Sequence, residues 1–350
     1  MVNSISIAGR MIGPGRPCFI IAEAGVNHNG EVEKACRLVD VAARVGANAV
    51  KFQSFTADRL ATPDAPKAAY QLRATGAGES QVEMLRRLEL SSEAHRELTS
   101  YCRQRKILFM STPFDESSAD LLHELGVPVF KISSGEVTNL PFLAHVARKG
   151  KPMIISTGMS TLGEVEAAVR TVEETGNREL VLLHCVSNYP ADPSDANLRA
   201  IITMKNAFKL PVGFSDHTPG TEVALAAVAL GACVIEKHIT LSRALPGPDH
   251  RASLEPDELA TLVRSIRIVE SALGHGRKEP AASEASTAAV ARKSLVTARA
   301  IPAGSLLTDE SIAVKRPGTG LPPSMRARVV GCRVTRDVPE GALLTLDMLA

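Results

Sequence analysis

The feature that most limits how this chain can fold is the regular alternation of short β-rich runs with segments of helical periodicity. Eight such runs can be read: Phe19–Glu23, Ala49–Gln53, Ile107–Thr112, Val129–Ser133, Met153–Thr157, Leu180–Cys185, Val212–Asp216 and Cys233–His238. Between them lie 3.6-type patterns such as Val32 to Val45, Ala119 to Leu125, Val165 to Val172 and Leu198 to Phe208. A crossover of helical length makes neighbouring strands parallel, because a hairpin needs only a few residues. Eight β–α units predict a closed (β/α)₈ barrel. An open doubly wound sheet is the alternative, weakened because no G-x-G-x-x-G follows the first strand.

The strand ends favour the barrel further. Glu23, Lys51 with Gln53, Thr112, Lys131 with Ser133 and Ser134, Ser156 with Thr157, His184, Asp216 with His217, and Glu236 with His238 all fall where strands finish. Strands that merely turn polar as they leave a core account for one or two of these, not for two lysines, two glutamates and three histidines. In a barrel such residues converge on one rim. The stretch from Val212 to Asp249 is the densest part. Two β-rich runs there end at His217 and His238, separated by a helix from Thr221 to Leu230, so both imidazoles should emerge side by side with an acid next to each. For a lone histidine, packing or capping would be the first reading; two on adjacent strand ends favour half of a metal site.

Composition removes other classes. Net charge is +2, from 40 basic and 38 acidic residues, which leaves no nucleic-acid footprint. There is no Trp and there are only 3 Tyr, which argues against base-stacking platforms and a membrane aromatic belt. The six cysteines form no C-x-x-C pair and mostly sit in apolar runs. With no leader and no bilayer-length apolar run, a cytoplasmic protein is expected. Cys185 lies near the proposed site and is read as packing rather than as a nucleophile.

Residues 1–278 are assigned to the barrel, 279–291 to a Gly-, Pro-, Ala- and Ser-rich linker, and 292–350 to a second, β-rich unit. That unit carries an internal echo, Val296 to Thr308 against Val334 to Thr345, each copy reading strand, Pro-x-Gly turn, strand. A long connection from Thr56 to Lys106 is either a lid or an ornamental insertion. Lys315-Arg316-Pro317-Gly318 forms a basic loop between the echoes.

With these residues in view, the chain resembles the bacterial N-acetylneuraminate (sialic acid) synthase family. The likeness rests on Phe19 to Gly30, Val50-Lys-Phe-Gln53, Ser111-Thr-Pro-Phe-Asp115, Lys131-Ile-Ser-Ser-Gly-Glu136, Ser156-Thr-Gly-Met159, Leu183-His-Cys185, Phe214-Ser-Asp-His217, Glu236-Lys-His238, Gly247-Pro-Asp-His250 and Lys315-Arg-Pro-Gly318. The tail resembles the antifreeze-like (SAF) domain of those synthases. The resemblance implies condensation of phosphoenolpyruvate with an open-chain N-acylated aminohexose such as N-acetylmannosamine, releasing phosphate and forming a nine-carbon 2-keto acid. Synthesis of legionaminic or pseudaminic acid from a diacetamido hexose is the alternative. The family also implies a divalent metal, manganese first with magnesium or cobalt as alternatives, and a domain-swapped homodimer in which each tail covers its partner's barrel mouth.

Carried over position by position, His217 and His238 are the metal ligands. Lys131, Ser134 and Ser156 bind phosphoenolpyruvate with Lys51, although each lysine has an alternative partner in Glu23, Glu136 or Glu236. Ser187 stands where some members have Asn. Gln53, Thr112, Tyr189, Ser215 and Asp249 complete the barrel's substrate set, and Arg316 of the partner's tail would meet the N-acyl carbonyl. Glu23 is the candidate general base, with metal-bound water as the alternative. Sugar choice is expected between Lys67 and Gln71 and around Tyr189. No Asn is found near Thr75-Gly76, where some members place one. Two other classes compete: a Schiff-base aldolase or lyase using Lys51 or Lys131, and a non-enzymatic ice- or carbohydrate-binding module.

Overall fold

Each barrel strand carries two alternating columns of side chains, one facing the interior and one facing the helices. The structure, a computed structural model, describes Val2 and residues 4–350. Eight parallel strands form its main sheet: β3 (Phe19–Gly25), β4 (Ala49–Ser54), β5 (Leu108–Pro113), β6 (Phe130–Ile132), β7 (Met153–Ser156), β8 (Leu180–Cys185), β9 (Val212–Asp216) and β10 (Val234–His238). Their order is β5-β4-β3-β10-β9-β8-β7-β6, so β10 pairs with β3 and the sheet curls round on itself. β5 and β6 lie side by side without a ladder between them, which leaves the barrel nearly closed. The outward column, including Ile20, Ala22, Val50, Phe52, Phe130, Ile155, Leu182, Phe214 and Ile235, packs into the main core against the helices.

The lower interior is sealed by a feature the sequence reading did not include. An N-terminal hairpin, β1 (Ile5–Ile7) and β2 (Arg10–Ile12), turns through Ala8 and Gly9, both at positive φ. Its Ile5, Ile7 and Ile12 pack against Phe19, Ile21, Met110, Val129, Ile154, Val181 and Val234. Strands of only three residues give too little alternation to be recognised in advance.

The chain divides after Gly274 into two compact units, each described by itself. In the second unit β11 (Ser294–Thr297) pairs antiparallel with β12 (Ile312–Lys315). The echo is realised as an isolated bridge between Ile301 and Val338. Leu295, Ile301, Leu307, Val334, Val338 and Leu344 form its core. The stretch marked as linker is not featureless: Ala285–Ala291 is helical, as its alanine content favours. The Gly318 amide donates to the Ala289 carbonyl at 2.7 Å, tying that helix to the Lys315–Gly318 loop.

Candidate active site

The inward column changes character part-way up each strand. Above the apolar layer come Glu23 and Lys51, then Thr112, Lys131, Ser156, Ser215 and Glu236, all buried. They line one cavity of about 620 Å³ at the C-terminal ends of the strands, together with Gln53, Ser134, Ser187, Tyr189, His217, His238 and Asp249. Every barrel residue carried over from the family's site therefore lines the same mouth, whereas Thr157, His184 and Asp216, also expected at the rim, do not line it. Arg316 belongs to the second unit, where its Nε donates to the Ala291 carbonyl at 3.0 Å.

Two lysines and two carboxylates form the centre. Lys51 Nζ lies 2.7 Å from Glu23 Oε2 and 3.7 Å from Glu236 Oε2, and it donates to Thr112 Oγ1 at 2.8 Å. Lys131 Nζ donates to Ser156 Oγ at 2.7 Å and to the Ile132 carbonyl at 3.0 Å, with Glu236 Oε1 at 3.6 Å. Glu236 also accepts from Ser215 Oγ at 2.9 Å. It thus touches both lysines, and its strand-end position was the sequence signal for a role it was not given. Burial pushes Glu236 up, but Lys131 and Lys51 outweigh that and hold it below the usual carboxylate range. Glu23 is pushed up to about 7, because burial and the neighbouring Glu236 charge overcome the pull of Lys51. Burial draws Lys131 down, against the opposing attraction of Glu236.

A β-bulge between Glu23 and Gly25 breaks the register with β4. Gly25 sits at φ +51°, and an added Cβ would stand 3.2 Å from Glu23 Oε1 and 3.5 Å from His238 Cε1, so glycine keeps this corner open. Across the mouth, Gly158 donates its amide to Ser134 Oγ at 2.9 Å, and Ser134 lies 3.2 Å from Cys185 Sγ. A side chain at Gly158 would collide with Ser187 Oγ. These contacts gather hydroxyls around a backbone N–H beside Lys131, a donor set suited to an anion. Cys185 is buried and its thiol is raised by that burial, in keeping with packing.

His217 and His238 face each other with ring centroids 5.5 Å apart. The Nδ1–H of His217 donates to the Val186 carbonyl at 2.7 Å, which fixes the tautomer and leaves Nε2 as the lone-pair nitrogen, 3.5 Å from Ser215 Oγ. His238 Nδ1 is buried without a hydrogen-bond partner, 3.9 Å from Asp249 Oδ2. Burial lowers both imidazoles, His238 well below its ordinary value, so both stay neutral as a metal requires. Burial raises Asp249 to about 6. Among the described residues, no three His, Cys, Asp or Glu side chains converge as a closed site. The residues fit an open site with two nitrogen ligands. The Tyr189 ring packs 4.2 Å from that of His217.

The acids beside the histidines separate. Asp216 points outward, where it pairs with Lys237 at 2.7 Å and accepts from Thr218; both side chains of the pair are fully buried. Strand alternation explains this, since Ser215 faces inward and its neighbour cannot. Asn27, from the Phe19–Gly30 motif, donates to the Ile239 carbonyl and to Ser253 Oγ, both at 2.8 Å. Ser253 in turn donates to the Asp249 carbonyl at 2.7 Å, so one amide braces the segments carrying His238 and Asp249.

The long connection supplies the rest of the wall. Within it are helices Ala57–Leu60, Ala69–Thr75, Gln81–Arg86 and Ser92–Gln104. Tyr70 and Gln71 line the cavity; Lys67 instead bonds Thr75, Gly76 and Glu79 within the connection.

A nearly closed barrel whose upper interior holds paired lysines, carboxylates and imidazoles defines a (β/α)₈ enzyme with its active site at the strand C-termini. The chain belongs to the NeuB family, whose model matches residues 38–278, and carries a SAF domain over residues 292–350. It is 47% identical to the N,N'-diacetyllegionaminic acid synthase of Campylobacter jejuni, covering 93% of this chain and 98% of that one. It is 48% identical to the synthase of the same name from Legionella pneumophila, covering 95% and 94%. The crystal structure of a Leptospira borgpetersenii N-acetylneuraminic acid (sialic acid) synthetase in complex with citrate superposes with a TM-score of 0.73 at 38% identity, covering 82% of this chain and 95% of that one. No helix among the described residues is long and apolar enough to cross a membrane.

Proposed function

We propose that this enzyme condenses phosphoenolpyruvate with the open-chain aldehyde of a 2,4-diacetamido hexose, forming a nonulosonic acid of the legionaminic type and releasing phosphate. The observation that carries the reading is the single buried mouth joining Lys51, Lys131, Glu23, Glu236, His217 and His238 in a NeuB-family barrel. The choice of sugar follows the relatives. Identity is 47–48% to two legionaminic acid synthases, against 38% to the N-acetylneuraminic acid synthetase. That reverses the order in which the sequence motifs ranked the sugars and moves N-acetylmannosamine to second place.

Lys131 and Lys51 supply point charges for the phosphate and carboxylate of phosphoenolpyruvate, while the hydroxyls of Ser134, held by the Gly158 amide, Ser156 and Ser187 donate to the phosphate oxygens. Glu23, set near pH 7, is the group positioned to take a proton from the water that adds at C2. Gln53, Tyr189 and Asp249 orient the sugar. His217 and His238 would hold a divalent ion, manganese first, which when bound supplies Lewis-acid polarisation of the sugar carbonyl. A homodimer in which each SAF domain serves its partner's barrel would bring Arg316 to the N-acyl group.

The test is phosphate release by the purified full-length enzyme with manganese and phosphoenolpyruvate, across N-acetylmannosamine and its 2,4-diacetamido relatives. Release should require a sugar and be fastest with a diacetamido hexose. Sugar-independent release would refute the proposal, and a borohydride-trapped lysine adduct of pyruvate with turnover that survives chelation would favour imine chemistry in its place.

A further inference from the structure

The cavity has two unlike walls. One is the polar ring at the strand ends. The other is apolar: Val26, Leu60, Met84, Leu85, Leu88 and Phe114 all line it. These six residues belong to a small hydrophobic cluster of their own, separate from the main core and from the plug beneath the barrel. Four of them come from the connection between Thr56 and Lys106. Val26, Met84 and Leu88 are buried, whereas Leu60, Leu85 and Phe114 are only partly buried. A cluster serving only to pin down a lid would turn its members inward; this one opens onto the substrate cavity.

We infer that the wall formed by Leu60, Leu85 and Phe114 is a specificity subsite that receives the methyl of the substrate's second acylamino group. The inference rests on the synthase reading above and names the residues that choose among its sugars. An acetamido methyl against leucine and phenylalanine removes apolar surface from water on both sides. A sugar with a hydroxyl at the same position would set a polar group against the apolar side chains of Leu60, Leu85 and Phe114, which is costly where water is displaced and no hydrogen bond replaces it. The wall therefore selects for acylation and against the free hydroxyl, while the polar ring serves the parts common to every substrate of the class.

The test compares N-acetylmannosamine with a 2,4-diacetamido hexose, using full-length enzyme with manganese and phosphoenolpyruvate. The variants are Leu85→Asn, Leu60→Asn and the apolar control Leu85→Met. In both Asn variants, kcat/KM for the diacetamido sugar relative to N-acetylmannosamine should fall by about tenfold or more. KM for phosphoenolpyruvate should not move, and Leu85→Met should keep the wild-type ratio. Loss shared equally by both sugars, or an unchanged ratio, overturns the subsite. So does a wild-type enzyme that prefers N-acetylmannosamine, a result that would also overturn the diacetamido assignment but leave the condensation with phosphoenolpyruvate standing. Phosphate release with neither sugar ends both. Leu60 lies on a different helix from Leu85, so Leu60→Asn decides the matter if Leu85→Asn fails to fold.

Discussion

At the lower end of the barrel the inward column is Phe19, Ile21, Ala49, Met110, Val129, Ile154, Val181 and Val234, closed off by the isoleucines of the N-terminal hairpin. At the upper end the same column, on the same strands, becomes Glu23, Lys51, Thr112, Lys131, Ser156, Ser215 and Glu236. Both sets of side chains are buried, but their energetics differ. Burying aliphatic side chains is favourable in itself, whereas a buried charge is tolerated only if it is paired and hydrogen-bonded. Each lysine of the mouth meets that condition, Lys51 through Glu23 and Thr112, Lys131 through Ser156 and the Ile132 carbonyl. Buried polar atoms without a hydrogen-bond partner remain in the barrel at Asn27 Oδ1, His28 Nε2, Ser133 Oγ, Glu236 Oε2 and His238 Nδ1, the last three on residues that line the mouth. The lower end carries stability and leaves the upper end free to keep unsatisfied groups for a ligand.

The largest effect that would sharpen this contrast is at the lower end. Ile154→Ala should lower stability by about 2–5 kcal/mol, read from denaturant unfolding, with kcat unchanged for the folded fraction. A loss of turnover with stability intact would mean the two ends are not separable. A smaller effect concerns the mouth. Glu23 must be ionised to accept a proton, and burial raises it to about 7, so kcat should fall by about tenfold per pH unit as pH drops below that value. Glu23→Gln should remove this limb along with most activity. A wild-type rate that stays level between pH 6 and 8 would take the base role from Glu23.

The contrast also explains what could be read in advance. Strand ends were legible because charged side chains in apolar runs are conspicuous, and their common rim follows from parallel topology. β8 and β9 occur at the expected residues, and β10 begins one residue later. What escaped was whatever depends on alternation or on distant packing. Asp216 next to His217 reads as an acid for the site, yet period-two geometry sends it outward to Lys237. Leu60 and Leu85 look like ordinary helix-packing residues and Phe114 stands out only as part of the Ser111–Asp115 motif; only the fold shows the three lining the cavity. The hairpin was too short to register, and the Ala285–Ala291 helix was hidden in a composition that also suits a linker.

The account depends most on the two imidazoles acting together as one ion site. Manganese titration of the full-length enzyme, with His217→Ala and His238→Ala measured beside it, tests that directly. A single ion bound by the wild type, lost in each variant together with turnover while the melting transition stays in place, is the expected result. Undiminished manganese binding and full turnover in either variant would contradict it.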